Sequence, residues 1–450
     1  MTHIDIVGGG ILGLGIGYQL TRAGQRVRIW ERASTPGGLM GRVAFPELGI
    51  ECDRYYHAIL NSDRALMRLF AELGIGADDQ RLVTTRMGFF HDGRCYGMST
   101  PLEFLRFPPL GLIDRLRLAL TILRCRQIKD WRALEQVPVE RWLESISGKR
   151  TTRNIWAPLL RAKFDSNFDD VPATYIWSRL VRMTDTRDRH NKEQMVALRG
   201  GYMTLVNRLV HAIEAGGGQI HCNATVERVD VADGAVAGLR VDGEEIATDQ
   251  VILTLPTPLA RRLLPPEAAA ADQQWARLES YLGIVCLLLV LRRSLTPYYT
   301  LNITDSRVPF TGVIETTNLI GPENMGGYHL VYLPKYVAPD SPYARMPDAE
   351  LIPEFLSHLR VMFPDLRDDE IAAIKVGRER YVEPLHPVGA TDRIPPVASP
   401  VTGLFLANTT QIYPALTNGE SSARFAQQVA AEVLSAASHR RARVELMEVG

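Results

Sequence analysis

Residues 3–32, HIDIVGGGILGLGIGYQLTRAGQRVRIWER, decide the fold. Ile4, Ile6 and Val7 make a short apolar strand that stops on glycine. Gly8, Gly10 and Gly13 then satisfy G-x-G-x-x-G, and Ile11 to Thr21 has helical character. A second strand, Arg26 to Trp30, ends at Glu31. The spacing predicts a strand–turn–helix–strand unit closed by an acid about twenty positions past the glycines. Gly8 allows the tight turn, Gly10 lets backbone approach a pyrophosphate, and Gly13 brings helix and strand together. The first helical turn, with Ile11 and Leu12, points its N-terminus at the phosphate charge. The Glu31 carboxylate can accept from both hydroxyls of an adenosine ribose. A tight turn that binds nothing is the plainer alternative, but the whole unit points to a dinucleotide.

The next stretch, Arg32 to Arg42, carries a second glycine pair, Gly37-Gly38. Glu31 and Arg32, four residues, then Gly-Gly resembles the signature of the flavin amine oxidase superfamily. That group includes protoporphyrinogen oxidases, carotenoid and squalene desaturases, and monoamine oxidases. A plain NAD dehydrogenase has no need of the second pair, so the resemblance implies FAD. Leu39 stands where the family commonly has arginine, and Arg42 is the candidate replacement for its phosphate contact.

The resemblance continues downstream. VALRGGYMTLVNRLVHAIEAGGGQIHCNATVERVD, residues 196–230, opens a helix on two glycines, with Leu205, Leu209 and Ile213 on one face. It is similar to the family's return to the FAD domain, which implies an adenine contact from the backbone of Val226. Asp-Gly pairs at 233–234 and 242–243 predict an antiparallel meander. Near the C-terminus, GLFLANTTQIYPALTNGESSARF reads as a buried strand, a loop, and a helix from about residue 419. By resemblance, Asn408 would bond a ribityl or phosphate oxygen as a neutral donor. Thr417 and Asn418 would turn N–H groups to the flavin, with the helix N-terminus stabilising its reduced anion.

The expected fold is α/β: a discontinuous Rossmann-like FAD-binding domain, a mixed α+β substrate domain and a helical insert. The FAD domain is expected at 1–62, 191–272 and 379–440, the helical insert at 63–190, the β-rich substrate domain at 273–378 and a tail at 441–450.

Bulk properties exclude other classes. The chain has 450 residues with 51 basic and 51 acidic side chains, so nothing global argues for nucleic acid. The cysteines Cys52, Cys95, Cys125, Cys222 and Cys286 form no CxxC pair, which fits a reducing compartment and argues against a structural zinc site. No basic region precedes an apolar run at the start, so a cleaved signal peptide is not expected. IVCLLLVL, residues 284–291, is too short to span a bilayer and reads as a buried strand. A cytoplasmic protein is expected, with peripheral contact at the inner face of a membrane left open.

That contact would fall on the first insert. After a hairpin turned at Asp92-Gly93, Ile113, Leu116, Leu120 and Leu123 share one helical face, surrounded by Arg115, Arg117, Arg124 and Arg126. The expectation is a cap helix packing its leucines on the domain. The other reading is a basic amphipathic helix on an anionic membrane.

Substrate chemistry is expected around ECDRYYHAIL, residues 51–60, which follows the second glycine pair. Tyr56 and His57 are the candidates to flank the ring or bind substrate; an Asp53–Arg54 ion pair with tyrosines filling a domain junction is the bland reading. Lys163, in IWAPLLRAKFD, could hold a water at the flavin and assist reoxidation, as in amine oxidases. Beside Arg161 and Asp165, it could equally be a solvated cation. The implied activity is oxidation of a C–H or C–N bond by hydride transfer to flavin N5, with dioxygen or another electron acceptor and a small-molecule or lipid-like substrate. A redox-neutral flavoenzyme resembling UDP-galactopyranose mutase is the alternative. A non-catalytic flavin-binding partner is less well supported, because the inserts look built to enclose a cavity.

Overall fold

The first strand lands at the centre of a sheet in which every neighbour is parallel. In the computed structural model, which describes residues 3–184 and 194–448, the order is Leu404–Leu406, Gln250–Leu253, His3–Val7, Arg26–Trp30, Gln219–His221. A parallel sheet covered on both faces calls for apolar side chains along its whole length. Asp5 is the exception. Fully buried, it accepts from Arg28 and from Trp30 Nε1, each at 2.7 Å, and so ties the first two strands side by side.

Three helices cover one face: Ile11–Arg22, Tyr202–Ala215 and Gly419–Glu448. Leu205, Leu209 and Ile213 are fully buried there, as their spacing implies. The opposite face meets the antiparallel meander Val226–Ala232, Ala235–Val241, Glu244–Ala247. Its two Asp-Gly turns have φ of 51° and 73°, then 47° and 84°. Such a pair of left-handed residues closes a two-residue hairpin with the twist strands prefer.

The second sheet has seven strands in the order Ile371–Pro384, Tyr281–Leu291, His329–Val337, Gly312–Glu315, Thr300–Ile303, Met87–His91, Arg94–Gly97. All eleven residues of Tyr281–Leu291 are buried. Alternate side chains divide between two cores: Val285, Leu287 and Leu289 face Phe310 and Phe355, whereas Ile284, Cys286 and Leu288 face Phe45, Tyr55 and Tyr332. The second face brings the segment after the glycine pairs onto this sheet.

Several expected boundaries shift. The hairpin at Asp92-Gly93 is part of this sheet, because Met87–His91 pairs in parallel with Thr300–Ile303. The strand Ile371–Pro384 runs through the boundary drawn at 378/379, and the C-terminal helix runs through that at 440/441. The boundary at 190/191 lies outside the described residues. The insert helices between Leu112 and Thr184 build a core around Phe107, Trp142, Trp156 and Phe164 together with Phe89 and Leu282 of this sheet, whereas helix Arg64–Glu72 packs through Leu66 and Phe70 into the core of the parallel sheet.

The leucine face of Leu112–Gln127 is not packed on the domain. Asp114, Leu118, Thr121 and Cys125 are the side chains it buries, while Ile113, Leu116, Leu120 and Leu123 are exposed. The pattern identified residues sharing a face; it carried no information on which face the rest of the chain would cover.

Candidate active site

The glycine loop has the shape its spacing demands. A Cβ on Gly13 would stand 2.0 Å from the Gly8 carbonyl oxygen, so only glycine lets the helix come this close to the strand. Gly8 itself has φ of 109° and donates to the Trp30 carbonyl at 2.8 Å. Above Gly10 there is open space, with nothing within 4 Å of a Cβ placed there. The helix that follows has no capping side chain and no acid in its first turn. An uncapped N-terminus of a twelve-residue helix beneath open space leaves first-turn N–H groups for an anion.

Glu31 closes this loop from the side. Its Oε2 accepts from Gly9 N and its Oε1 from Ala33 N, both at 2.8 Å, so each oxygen keeps a lone pair free for a hydroxyl. The second glycine pair docks on the first: Gly37 N donates to Gly9 O at 2.8 Å, and a Cβ on Gly38 would be 3.3 Å from Gly10 Cα. Gly37 and Gly38 both have positive φ, 127° and 56°. Ala224 N and Asn223 N donate to the carbonyls of Glu31 and Ala33, each at 3.0 Å, which brings half-buried Val226 to the same end. These residues fit the adenosine and pyrophosphate of a dinucleotide.

Other expected contacts are placed differently. Arg32 is exposed, and half-buried Leu39 joins the core around Phe45. Arg42 pairs with Glu51 at 3.1 Å and donates to Gly200 O at 2.9 Å. Asn408 is held by its own loop: its Nδ2 donates to Leu255 O at 2.9 Å and Thr257 Oγ1 at 3.1 Å, and its Oδ1 accepts from Thr410 N at 3.0 Å. Both amide hydrogens are engaged in shaping the loop, leaving none for a ribityl oxygen. Asn418 caps the C-terminal helix, its Oδ1 accepting from Ser421 N and its own N–H donating to Ser421 Oγ. Thr417 N–H has no acceptor among the described residues.

Residues 51–60 do not form the Asp53–Arg54 ion pair of the plainer alternative. Arg54 pairs with Glu379 at 3.0 Å. Asp53 instead accepts from Tyr202 N at 3.2 Å, capping the helix Tyr202–Ala215 from a distance in sequence. The carboxylate occupies the place where a Gly201 Cβ would be, 2.4 Å away, so the glycine before the helix is a steric requirement. Burial pushes the Asp53 carboxyl up to about 7 against the lowering effects of Tyr202 N–H and Arg42. Burial likewise pulls His57 down to about 4. Its Nδ1 lies 3.0 Å from Tyr55 O, so the neutral ring donates there and keeps Nε2 as an acceptor. The ring packs edge-on to Tyr202 at 5.2 Å.

Lys163 is not a solvated cation. Its Nζ lies 2.9 Å from Glu383 and 3.4 Å from the centre of the Tyr336 ring. Burial alone would lower its pKa, but Glu383, Tyr175 and Tyr56 raise it above the usual lysine value, so it stays an ammonium. Asp165 turns away from it to bind Lys335 Nζ at 3.1 Å and Ala338 N at 3.0 Å. Tyr56 hydrogen-bonds Tyr336, and burial pushes the Tyr56 phenol well up. Arg179 is exposed beside Tyr175, Tyr56 and Tyr336, with a hydrogen bond to Tyr175, and no carboxylate among the described residues pairs with it. Glu383 and Tyr175 share a cleft with Thr174, His386, Tyr413 and Thr417, so the lysine cluster and the loop before the C-terminal helix meet in one place.

The sequence names Tyr56, His57 and Lys163 as candidates; it does not name Tyr175, Arg179, Tyr336 or Glu383 beside them, or the cap that Asp53 provides. A glycine doublet ahead of a helix was the available sign of a remote cap. Nothing local marked the others.

The family model for flavin-containing amine oxidoreductases matches residues 13–432. A 4,4'-diapolycopen-4-al dehydrogenase of Metabacillus indicus is 26% identical over 303 residues, 60% of this chain and 58% of that protein. The alignments span 58% to 62% of the length of the curated relatives they match. Among solved structures, an oxidoreductase from Methanosarcina mazei superposes with a TM-score of 0.73 at 19% identity, covering 95% of this chain and 99% of that one. A reduced UDP-galactopyranose mutase gives 0.75 at 15% identity, covering 97% and 96%. At these identities the two structures speak for the fold alone.

Proposed function

The chain belongs to the flavin-containing amine oxidoreductase family, and from that premise we propose that it is an FAD-dependent oxidoreductase acting on a C–H or C–N bond of an organic substrate. The observation that carries this reading is the docking of Gly37 on Gly9 beside the Glu31 carboxylate, under an uncapped helix N-terminus. FAD supplies the hydride acceptor at N5, with dioxygen or another acceptor completing the cycle.

The protein's own part is to bind, orient and exclude water. Gly8 to Gly13, Gly37 and Gly38 would hold the pyrophosphate, Glu31 the ribose, and Val226 the adenine through its backbone. Thr417 N–H would remain as a donor to the ring, after Asn408 and Asn418 are engaged elsewhere. The Lys163 ammonium, kept charged by Glu383, would orient a water or a substrate oxygen; being protonated, it is no base. Neutral His57 would offer Nε2 as a hydrogen-bond acceptor to the substrate, burial keeping its ring unprotonated. The phenols of Tyr56, Tyr175 and Tyr336 would wall the cavity and hold Arg179 as a cation facing the substrate.

Purified protein should show oxidised-flavin absorption bands, release FAD on acid precipitation, and bleach anaerobically with a substrate. A colourless protein that cannot be reconstituted with FAD would end this reading. Arg179, with no carboxylate partner among the described residues, also favours a second one, redox-neutral chemistry on a sugar nucleotide, whose phosphates that cation would meet. Turnover that requires prereduced flavin but consumes no stoichiometric acceptor would select it.

A further inference from the structure

Seven large apolar side chains lie exposed within one short stretch: Leu102, Leu105, Leu112, Ile113, Leu116, Leu120 and Leu123, each with between 51% and 67% of its surface accessible. The helix Leu112–Gln127 is two-sided. At about 100° per residue, Leu112, Ile113, Leu116, Leu120 and Leu123 fall within one arc of about 100°, opposite the side that buries Asp114, Leu118, Thr121 and Cys125. Arg117 and Arg124 follow one edge of that arc, and Arg115 and Arg126 follow the other. The Arg115 guanidinium donates to the carbonyls of Leu105 and Phe107, which joins the short helix Pro101–Leu105 to the longer one.

From this arrangement we infer that the two helices dock the protein on an anionic lipid surface. The acids nearby are turned away. Glu103 accepts from Ser99 N and Thr100 N and pairs with Arg86, and Asp114 is buried. Arg106, Arg117, Arg124, Arg126 and Lys129 are exposed, so the rim of the apolar stripe is cationic on both sides. A helix with this pattern lies in the interface, its leucines among acyl chains and its arginines at headgroup phosphates. No described helix is long and apolar enough to cross the bilayer. A second copy fits the face poorly: two-fold pairing would set arginine rows against arginine rows with no carboxylate between them.

The test is flotation of the full-length protein with phosphatidylcholine vesicles, with and without phosphatidylglycerol. Association is expected only with phosphatidylglycerol present, and it should fall as salt rises. Leu116→Glu with Leu120→Glu should weaken it at least about tenfold, and Arg117→Glu with Arg124→Glu by about tenfold or more. These side chains are exposed, so both variants should keep the wild-type melting temperature and flavin content. Wild type that floats with neither vesicle, or a double-leucine variant that floats like wild type, would overturn the inference. So would a wild-type dimer in sedimentation that the leucine changes convert to monomer, since a second copy would then cover the face.

Discussion

Lys163 and Glu383 meet at 2.9 Å although 220 residues separate them, and their side chains are only 13% and 17% exposed. One comes from the helical insert and the other from the end of the longest described strand, so the pair ties the insert to the seven-stranded sheet. A nearly enclosed pair contributes little net stability while both partners are present. Removing one leaves an isolated charge.

Lys163→Met is therefore expected to destabilise the protein by about 1–3 kcal/mol, and Glu383→Leu added to it should restore most of that loss. Activity should not return with stability. Denaturant unfolding of the single and double variants, with the rate of flavin reoxidation measured on each, checks both halves. Recovery of turnover in the double variant would remove Lys163 from the chemistry.

The two glycines of the loop should fail in different ways. Gly13→Ala puts a carbon on the Gly8 oxygen and should lower the stability of the flavin-free protein by about 1–3 kcal/mol or more. Gly10→Val meets open space, so the fold should survive while FAD binding is lost. Thermal melting of flavin-free protein and an FAD fluorescence titration separate the two.

His57 and Asp53 should tilt stability in opposite directions with pH. His57 falls from 6.5 to about 4 on folding, so its contribution is lost as pH drops through that window. Asp53 rises from 3.8 to about 7, so the native state holds its proton longer and stability declines as pH climbs between those values. Where the windows overlap the slopes cancel. Asp53→Asn should leave stability rising with pH, and His57→Gln should leave it falling, each by at most about 1.4 kcal/mol per pH unit. Urea midpoints of the flavin-free proteins across the acid range would show it; parallel curves for all three would refute the assignment.

Arg179→Gln should raise KM at least about tenfold with little change in melting temperature, because among the described residues its guanidinium has no carboxylate partner to abandon. An unchanged KM would mean that the substrate presents no anionic group to it.

Local chemistry made the cofactor end of the site readable. Gly8, Gly10, Gly13, Gly37 and Gly38 act through backbone geometry over a few neighbouring residues, and the Asp-Gly turns do the same. The reactive end was legible only in part. A solvated Lys163 stayed an open alternative because Glu383 and Tyr336 reach its helix from the seven-stranded sheet, and so did an Asp53–Arg54 pair because Gly201 lies 148 residues away. Asn408 illustrates a different gap. Its residue type fits a flavin contact, but whether an amide is free depends on the loop around it, here Leu255, Thr257 and Thr410. For Leu112–Gln127 the periodicity was right and the orientation inverted, since an amphipathic pattern with arginines on both sides has two faces that could be the covered one.

The central strand His3–Val7 is flanked by Arg26–Trp30 and by Gln250–Leu253, and Leu404–Leu406 completes the sheet. During synthesis the strand–helix–strand unit of the nucleotide loop can close almost at once, but the other neighbour of the first strand, Gln250–Leu253, emerges only after the whole helical insert. At about 5–20 residues per second, Gln250–Leu253 follows the first strand by roughly 12 to 50 seconds. For that interval one edge of an apolar strand waits in the open, so a nascent chain would depend on chaperones, or on early capture of the nucleotide, to keep its own beginning available for its end.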